Sequence, residues 1–138
     1  MSELIRFGVS MEAELLDHFD HLITERGYKN RSEAIRDLIR NELVQEEWKK
    51  SDAEAVGTLT IIYNHHVREL THVLTSVQHQ YTKEIITTTH IHLDHDNCLE
   101  ILALKGTTEK IRKIADQLIA MKGVKHGKLV MTTTGKSV

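Results

Sequence analysis

Ten histidines and one cysteine are the side chains in this 138-residue sequence with the most chemistry to offer. His65, His66, His72, His79, His90, His92 and His95 crowd into one stretch, and Cys98 follows it. Neutral imidazoles and a thiolate are donors that first-row transition metals favour. His90 and His92 are two apart in a segment that reads as a strand, so their side chains leave the same face. The residues Asp94–Asn97 have turn chemistry, and Cys98 opens the return strand. An odd loop, residues 93–97, sets Cys98 across from His92 and Glu100 across from His90. An even loop would turn the sulfur to the opposite face. We expect the odd register, in which two imidazoles and a thiolate converge with a carboxylate beside them.

A fourth donor would close such a site. His79 precedes His90 with ten residues between them, at the end of a predicted helix. The strand that follows carries His90 far along the sheet, so donation within one chain is awkward and a ligand from another subunit is the attractive alternative. Each piece has an ordinary explanation. A lone His-x-His pair is more often a polar strand face, and a lone cysteine is usually a small buried hydrophobe. The combined spacing, His-x13-His-x10-His-x-His-x5-Cys, is far more specific than its parts. Three imidazoles and a thiolate suit zinc in a tetrahedron, or copper and nickel in a planar field. Four protein ligands leave no open position for a reacting water, which argues against a metallohydrolase and against an enzyme.

The elements that must position these donors follow from periodicity. Strands are expected over 56–63, 85–93, 98–104 and 127–133, and helices over 67–79 and 108–121. The order β-α-β-β-α-β is the ferredoxin-like arrangement, one four-stranded sheet under two helices. Nearer the N-terminus, Ile5, Phe7 and Val9 alternate with Arg6, Gly8 and Ser10, the pattern of a strand over 4–10. A helix over 12–26 stops at Gly27, and a second begins at Asn30 with Glu33 three residues on. A single strand has no ladder partner, and nothing else in the first 50 residues supplies one. A second copy of the chain solves this by forming a two-stranded antiparallel ribbon on a helical base, a shape that fits the DNA major groove. The fold class is therefore α+β, with domains 1–50 and 51–138 joined by a polar hinge at 49–55.

Composition sets limits. Forty per cent apolar and 28% charged residues are ordinary for a globular chain. The net charge is -2, and the first 50 residues carry 8 basic against 11 acidic side chains. Any contact with DNA must then rest on where individual charges sit, not on a basic field. A single cysteine excludes an internal disulfide framework. No apolar run is long enough to span a membrane and no signal-peptide core opens the chain, so a cytoplasmic protein with no membrane partner is expected.

The stretch from Ile5 to Ser10, the segment Asn30–Arg40, the dipeptide Gln78-His79 and the run His90–Glu100 together resemble the nickel-responsive regulators of the NikR family. The resemblance spans nearly the whole chain. It implies a swapped ribbon-helix-helix dimer followed by an ACT-type domain, assembled as a homotetramer, a dimer of dimers. It implies Ni(II), one per subunit, square-planar at a tetramer interface, with His90, His92 and Cys98 from one subunit and His79 from another. Tyr63, Gln78 and Glu100 would shield and orient that site, and His65 matches an auxiliary metal site. Glu33 and Asp37 match positions that hold a secondary cation. On the DNA side the resemblance points to Arg6, Gly8 and Ser10 on the ribbon, to Lys29, Asn30 and Arg31 at a helix start, and to Arg68. Gly8 and Val67 depart from the hydroxyl and lysine-type residues found there in relatives. The implied function is repression of nickel-uptake genes through a palindromic double-stranded operator, with Ni(II) ordering the metal domain for that contact. The alternatives are a sensor of copper, cobalt or zinc on the same scaffold, or an ACT-type regulator answering a small molecule.

Overall fold

The computed structural model describes residues 2–50 and 52–138, except the side chain of Arg68. The chain divides into two compact units, Met1–Asn41 and Glu42–Val138.

In the first unit, helix α1 (Ala13–Glu25) is followed by the start of α2 (Arg31–Lys49). Gly27 takes φ 84°, the left-handed conformation that ends a helix without steric cost in glycine. The amide of Tyr28 donates to the Ile23 carbonyl and that of Gly27 to Thr24, satisfying the last carbonyls of α1. Asn30 caps α2 as its sequence predicts: its Oδ1 accepts from the Glu33 amide at 2.9 Å. The strand expected over 4–10 is not formed in a single chain. Residues 2–12 make no ladder, because no partner strand lies among the described residues. The alternating side chains Ile5, Phe7 and Val9 stand in solvent, 78%, 70% and 64% exposed.

The second unit contains β1 (Glu54–Asn64), α3 (Arg68–Gln80), β2 (Ile85–His92), β3 (Asn97–Thr107), α4 (Thr108–Ile119) and β4 (Val124–Thr132). The strands form one antiparallel sheet in the order β2-β3-β1-β4, as the β-α-β-β-α-β reading requires. Alternation along the strands decides which face is buried. Ala55, Leu59, Ile61 and Tyr63 of β1 join Cys98, Leu102 and Leu104 of β3 in the core. Leu70, Leu74 and Val77 of α3 and Ile111, Ile114, Ala115 and Leu118 of α4 complete it at helical spacing. Gly127 allows the closest approach of α4 to the sheet: a Cβ there would lie 2.5 Å from Ile119 Cγ1.

The segment read as a hinge is instead tied down at several points. Trp48 is buried, and its Nε1 donates to the Thr132 carbonyl at 2.8 Å. Arg112 reaches the Trp48 carbonyl at 3.2 Å and lies over its ring. Thr108 donates its hydroxyl to the Lys50 carbonyl and its amide to Ala53. The sequence showed polar residues here, but Trp48 and the N-terminus of α4 supply the anchors.

Candidate metal centre

The register between β2 and β3 is the odd one: His92 pairs with Cys98 and His90 with Glu100. Residues 93–97 turn the chain, with the Leu93 amide donating to the Asn97 carbonyl at 2.9 Å. Cys98 and Glu100 lie on the inner face of β3, both buried, so both histidines project beside them. The rings of His90 and His92 are 5.0 Å apart, centroid to centroid.

The sulfur of Cys98 is 3.5 Å from His92 Nδ1 and equally 3.5 Å from His65 Nδ1. Donor atoms of His65, His92 and Cys98 all lie within 4.8 Å of one another. Sequence reasoning gave His65 only an auxiliary place. The available signal was that β1 pairs with β3: Tyr63 lies opposite Cys98, so the turn after β1 comes back over the sulfur. His90 is turned toward Tyr63, whose hydroxyl oxygen is 3.1 Å from His90 Nδ1. Gln78, on α3, donates to Glu100 at 2.8 Å and accepts from Thr88 at 3.3 Å. The chain thus brings His90, His92, Cys98, Tyr63, Gln78 and Glu100 into one neighbourhood. His79 is exposed in the last turn of α3, in a shallow groove with Thr75, Thr82 and Ile85, and is not part of the cluster around the sulfur.

Electrostatics at the centre favour a cation. Burial pushes the Cys98 thiol up, and the carboxylates of Asp94 and Glu100 add to the shift, so without a positive partner the proton stays on sulfur. Burial likewise raises the Tyr63 phenol well above its ordinary value, with Glu100 and Cys98 adding to it. A soft sulfur flanked by imidazoles is the donor set of a borderline divalent ion, and these residues fit nickel.

The expected DNA-contact residues are in the first unit, apart from Arg68. Arg6, Gly8 and Ser10 are exposed on the unpaired arm, and Lys29 and Asn30 are exposed at the start of α2. Arg31 is already engaged: its guanidinium makes a bidentate pair with Asp20 at 2.8 and 2.7 Å. Asp37 accepts from the Tyr28 hydroxyl at 2.7 Å and pairs with Arg40 at 3.4 Å, in a groove shared with Glu33. Arg68 begins α3, and its side chain lies outside the described residues.

Comparison with known proteins is consistent with both units. A family model described as the NikR C-terminal nickel-binding domain matches residues 56–132. A model of ribbon-helix-helix proteins of the copG family matches residues 2–46. Together these define a transcription regulator with a DNA-binding part and a nickel-binding part, not an enzyme. The chain belongs to the NikR family of nickel-responsive regulators. It is 54% identical over its whole length to a Geobacter metallireducens protein named "Putative nickel-responsive regulator", covering 99% of that protein. A protein of the same name from Nitratidesulfovibrio vulgaris strain Hildenborough is 57% identical, again over the whole chain and 99% of the relative. One from Pyrococcus furiosus is 54% identical over 98% of both chains. Among solved structures, an uncharacterised Thermotoga maritima protein matches 56% of this chain and 96% of its own with a TM-score of 0.52. At 18% identity that likeness concerns the fold alone. No helix among the described residues is long and apolar enough to cross a membrane.

Proposed function

We propose that this chain represses nickel-uptake genes, binding a palindromic operator as a homotetramer when it holds Ni(II), one ion per subunit. The observation that carries the reading is the β2–β3 register, which sets His92 and His90 beside a buried thiol. His90, His92 and Cys98 of one copy hold the ion, and His79 of a second copy completes the set. When bound, Ni(II) supplies the positive charge that lets sulfur stay deprotonated in a buried place.

The rest of the mechanism belongs to the chain's own residues. Tyr63 fixes one nitrogen of His90 and leaves the other free to coordinate. Gln78 ties α3 to Glu100, immediately before His79 in the sequence, so the helix end and the sheet are mechanically joined. A ligand drawn from a second copy couples the order of α3 to assembly, and so biases the populations that reach two half-sites. In the first unit, the exposed Ile5, Phe7 and Val9 supply the apolar face of a ribbon shared with a second copy. Arg6, Gly8 and Ser10 then form its groove-facing side, while Lys29, Asn30 and Arg31 lie at a helix start suited to phosphate. Arg31 must exchange Asp20 for that contact. Arg68 is assigned to the phosphates, and Glu33 and Asp37 to a secondary cation.

A second arrangement is favoured by one observation: His65, rather than His90, shares the sulfur with His92. In that reading His65 is an auxiliary ligand within one copy, and a different transition metal is accepted on the same scaffold. The deciding experiment is operator binding at fixed salt, with and without each divalent metal, for the wild type, His79→Ala and His65→Ala. Nickel-dependent binding lost in His79→Ala and kept in His65→Ala supports the shared site. Equal DNA affinity with and without nickel sinks the function.

A further inference from the structure

His79 stands in the last turn of α3, and a helix end is the part of a helix with least to hold it. Here that turn and the loop after it are fastened at several points. On the sheet side, Gln78 donates to Glu100 at 2.8 Å. The Tyr81 carbonyl accepts from the amides of Glu84 and Ile85 at 3.1 and 2.9 Å, closing the loop on itself. The Glu84 carbonyl accepts from the Lys105 amide of β3 at 2.8 Å. Two side chains then reach α4. The Tyr81 hydroxyl donates to Gln117 Oε1 at 3.1 Å, and Lys110 Nζ lies 2.9 Å from the Glu84 carboxylate.

Three features set these ties to α4 apart from ordinary surface pairs. Glu84 is only 8% exposed, and a carboxylate taken out of water requires a partner. The Lys110 hydrogen bond holds its carboxyl below the usual range, so the pair is charged at neutral pH. Gly106 of β3 leaves room for the Glu84 arm, since a Cβ there would lie 3.3 Å from Glu84 Cγ. Lys110 and Gln117 are seven residues apart, two turns along one face of α4, so both ties engage the same face. Finally, Thr82 and Ile85 of the tied loop line the groove in which His79 stands with Thr75 and Gln78. Fixing the loop fixes the wall of that groove.

We propose that Tyr81 and Glu84 are positioning residues for His79, acting through Gln117 and Lys110 of α4. They hold the last turn of α3 and its groove, so the exposed imidazole is presented without the helix end being ordered first. A donor held in advance loses less freedom on coordination, and the ion is bound more tightly for it. This role rests on the reading of His79 as a ligand to an ion on a second copy.

The test is the Ni(II) affinity of the full chain, measured by competition with a chelator, with melting of the metal-free protein recorded alongside. Lys110→Met combined with Tyr81→Phe should lower that affinity by about tenfold or more, the cost of losing a supporting residue. Lys110→Arg, which keeps the cation, should bind as the wild type does. In a His79→Ala chain the same two changes should leave the remaining affinity where it is. A general loosening of the fold would lower it there as well, and that result overturns the positioning role. So does wild-type affinity in the combined variant, or in Tyr81→Phe alone if the combined variant fails to fold. Should His79→Ala itself bind nickel as the wild type does, the shared-ligand reading falls and takes this role with it.

Discussion

The two units of this chain keep their apolar side chains in different ways. Fifteen residues of Glu42–Val138 form one closed core, from Trp48 through the sheet to Leu118. In Met1–Asn41, among the described residues, only Ile23 and Ala34 are buried apolar residues, while Leu4, Ile5, Phe7, Leu15, Leu38 and Ile39 are exposed. Helix α1 of the first unit is as amphipathic as α3 and α4 of the second, so helix patterning does not separate the units. What separates them is whether one copy of the chain supplies the opposing surface. The second unit closes its own core, and on the function proposed above the first is half of a fold shared with a second copy.

That contrast can be broken or sharpened by substitution, beginning with the largest effect. Cys98→Ser should lower nickel affinity by more than the ~10–100-fold that loss of a supporting residue costs. Its circular dichroism should be unchanged, because the core around it is closed by apolar side chains of both sheet and helices. A variant that unfolds instead would make the metal part of the fold. Ile114→Ala removes a fully buried side chain and should cost about 2–5 kcal/mol in denaturant unfolding of the second unit. Phe7→Asp should leave that transition where it is. It should weaken operator binding tenfold or more, since each copy forfeits about 1.5–3 kcal/mol of apolar burial in the shared ribbon. If Phe7→Asp binds DNA normally, the ribbon is not shared. Asn30→Ala deletes the cap on α2 and should cost about 1 kcal/mol, read as lost helicity in a calorimetric or dichroism melt.

The smallest effect concerns acid. Asp94 is held down to about 2, first by the Asn97 side chain and then by the amides of Asn97 and Asp96. A carboxyl lowered on folding stabilises the native state above its ordinary value of 3.8, and that contribution is lost as pH falls through about 2. The group is exposed, so the change is modest. Melting curves of the wild type and Asp94→Asn should differ at neutral pH and converge toward about pH 2.

Much of the second unit could be read from the residues. The period-two alternation of Leu59, Ile61 and Tyr63 marked β1, and the odd loop after His92 fixed which residue faces Cys98. Gly27 and Asn30 marked the helix ends correctly, since turn and cap chemistry act within a few residues. Contacts between segments distant in sequence were harder to see. His65 reaches the sulfur through the pairing of β1 with β3. Trp48 crosses to the Thr132 carbonyl, so a stretch that is polar by composition is anchored in fact. The strand of the N-terminal arm was legible as a pattern, but a pattern cannot form a ladder alone.

One feature of the 93–97 turn bears on the cost of metal capture. Asp94 accepts from two amides and from the Asn97 side chain, so the backbone ahead of the sulfur has already lost its conformational freedom. If His92 and Cys98 hold an ion, the turn between them would need little further ordering, and less of the coordination energy would be spent on the loop.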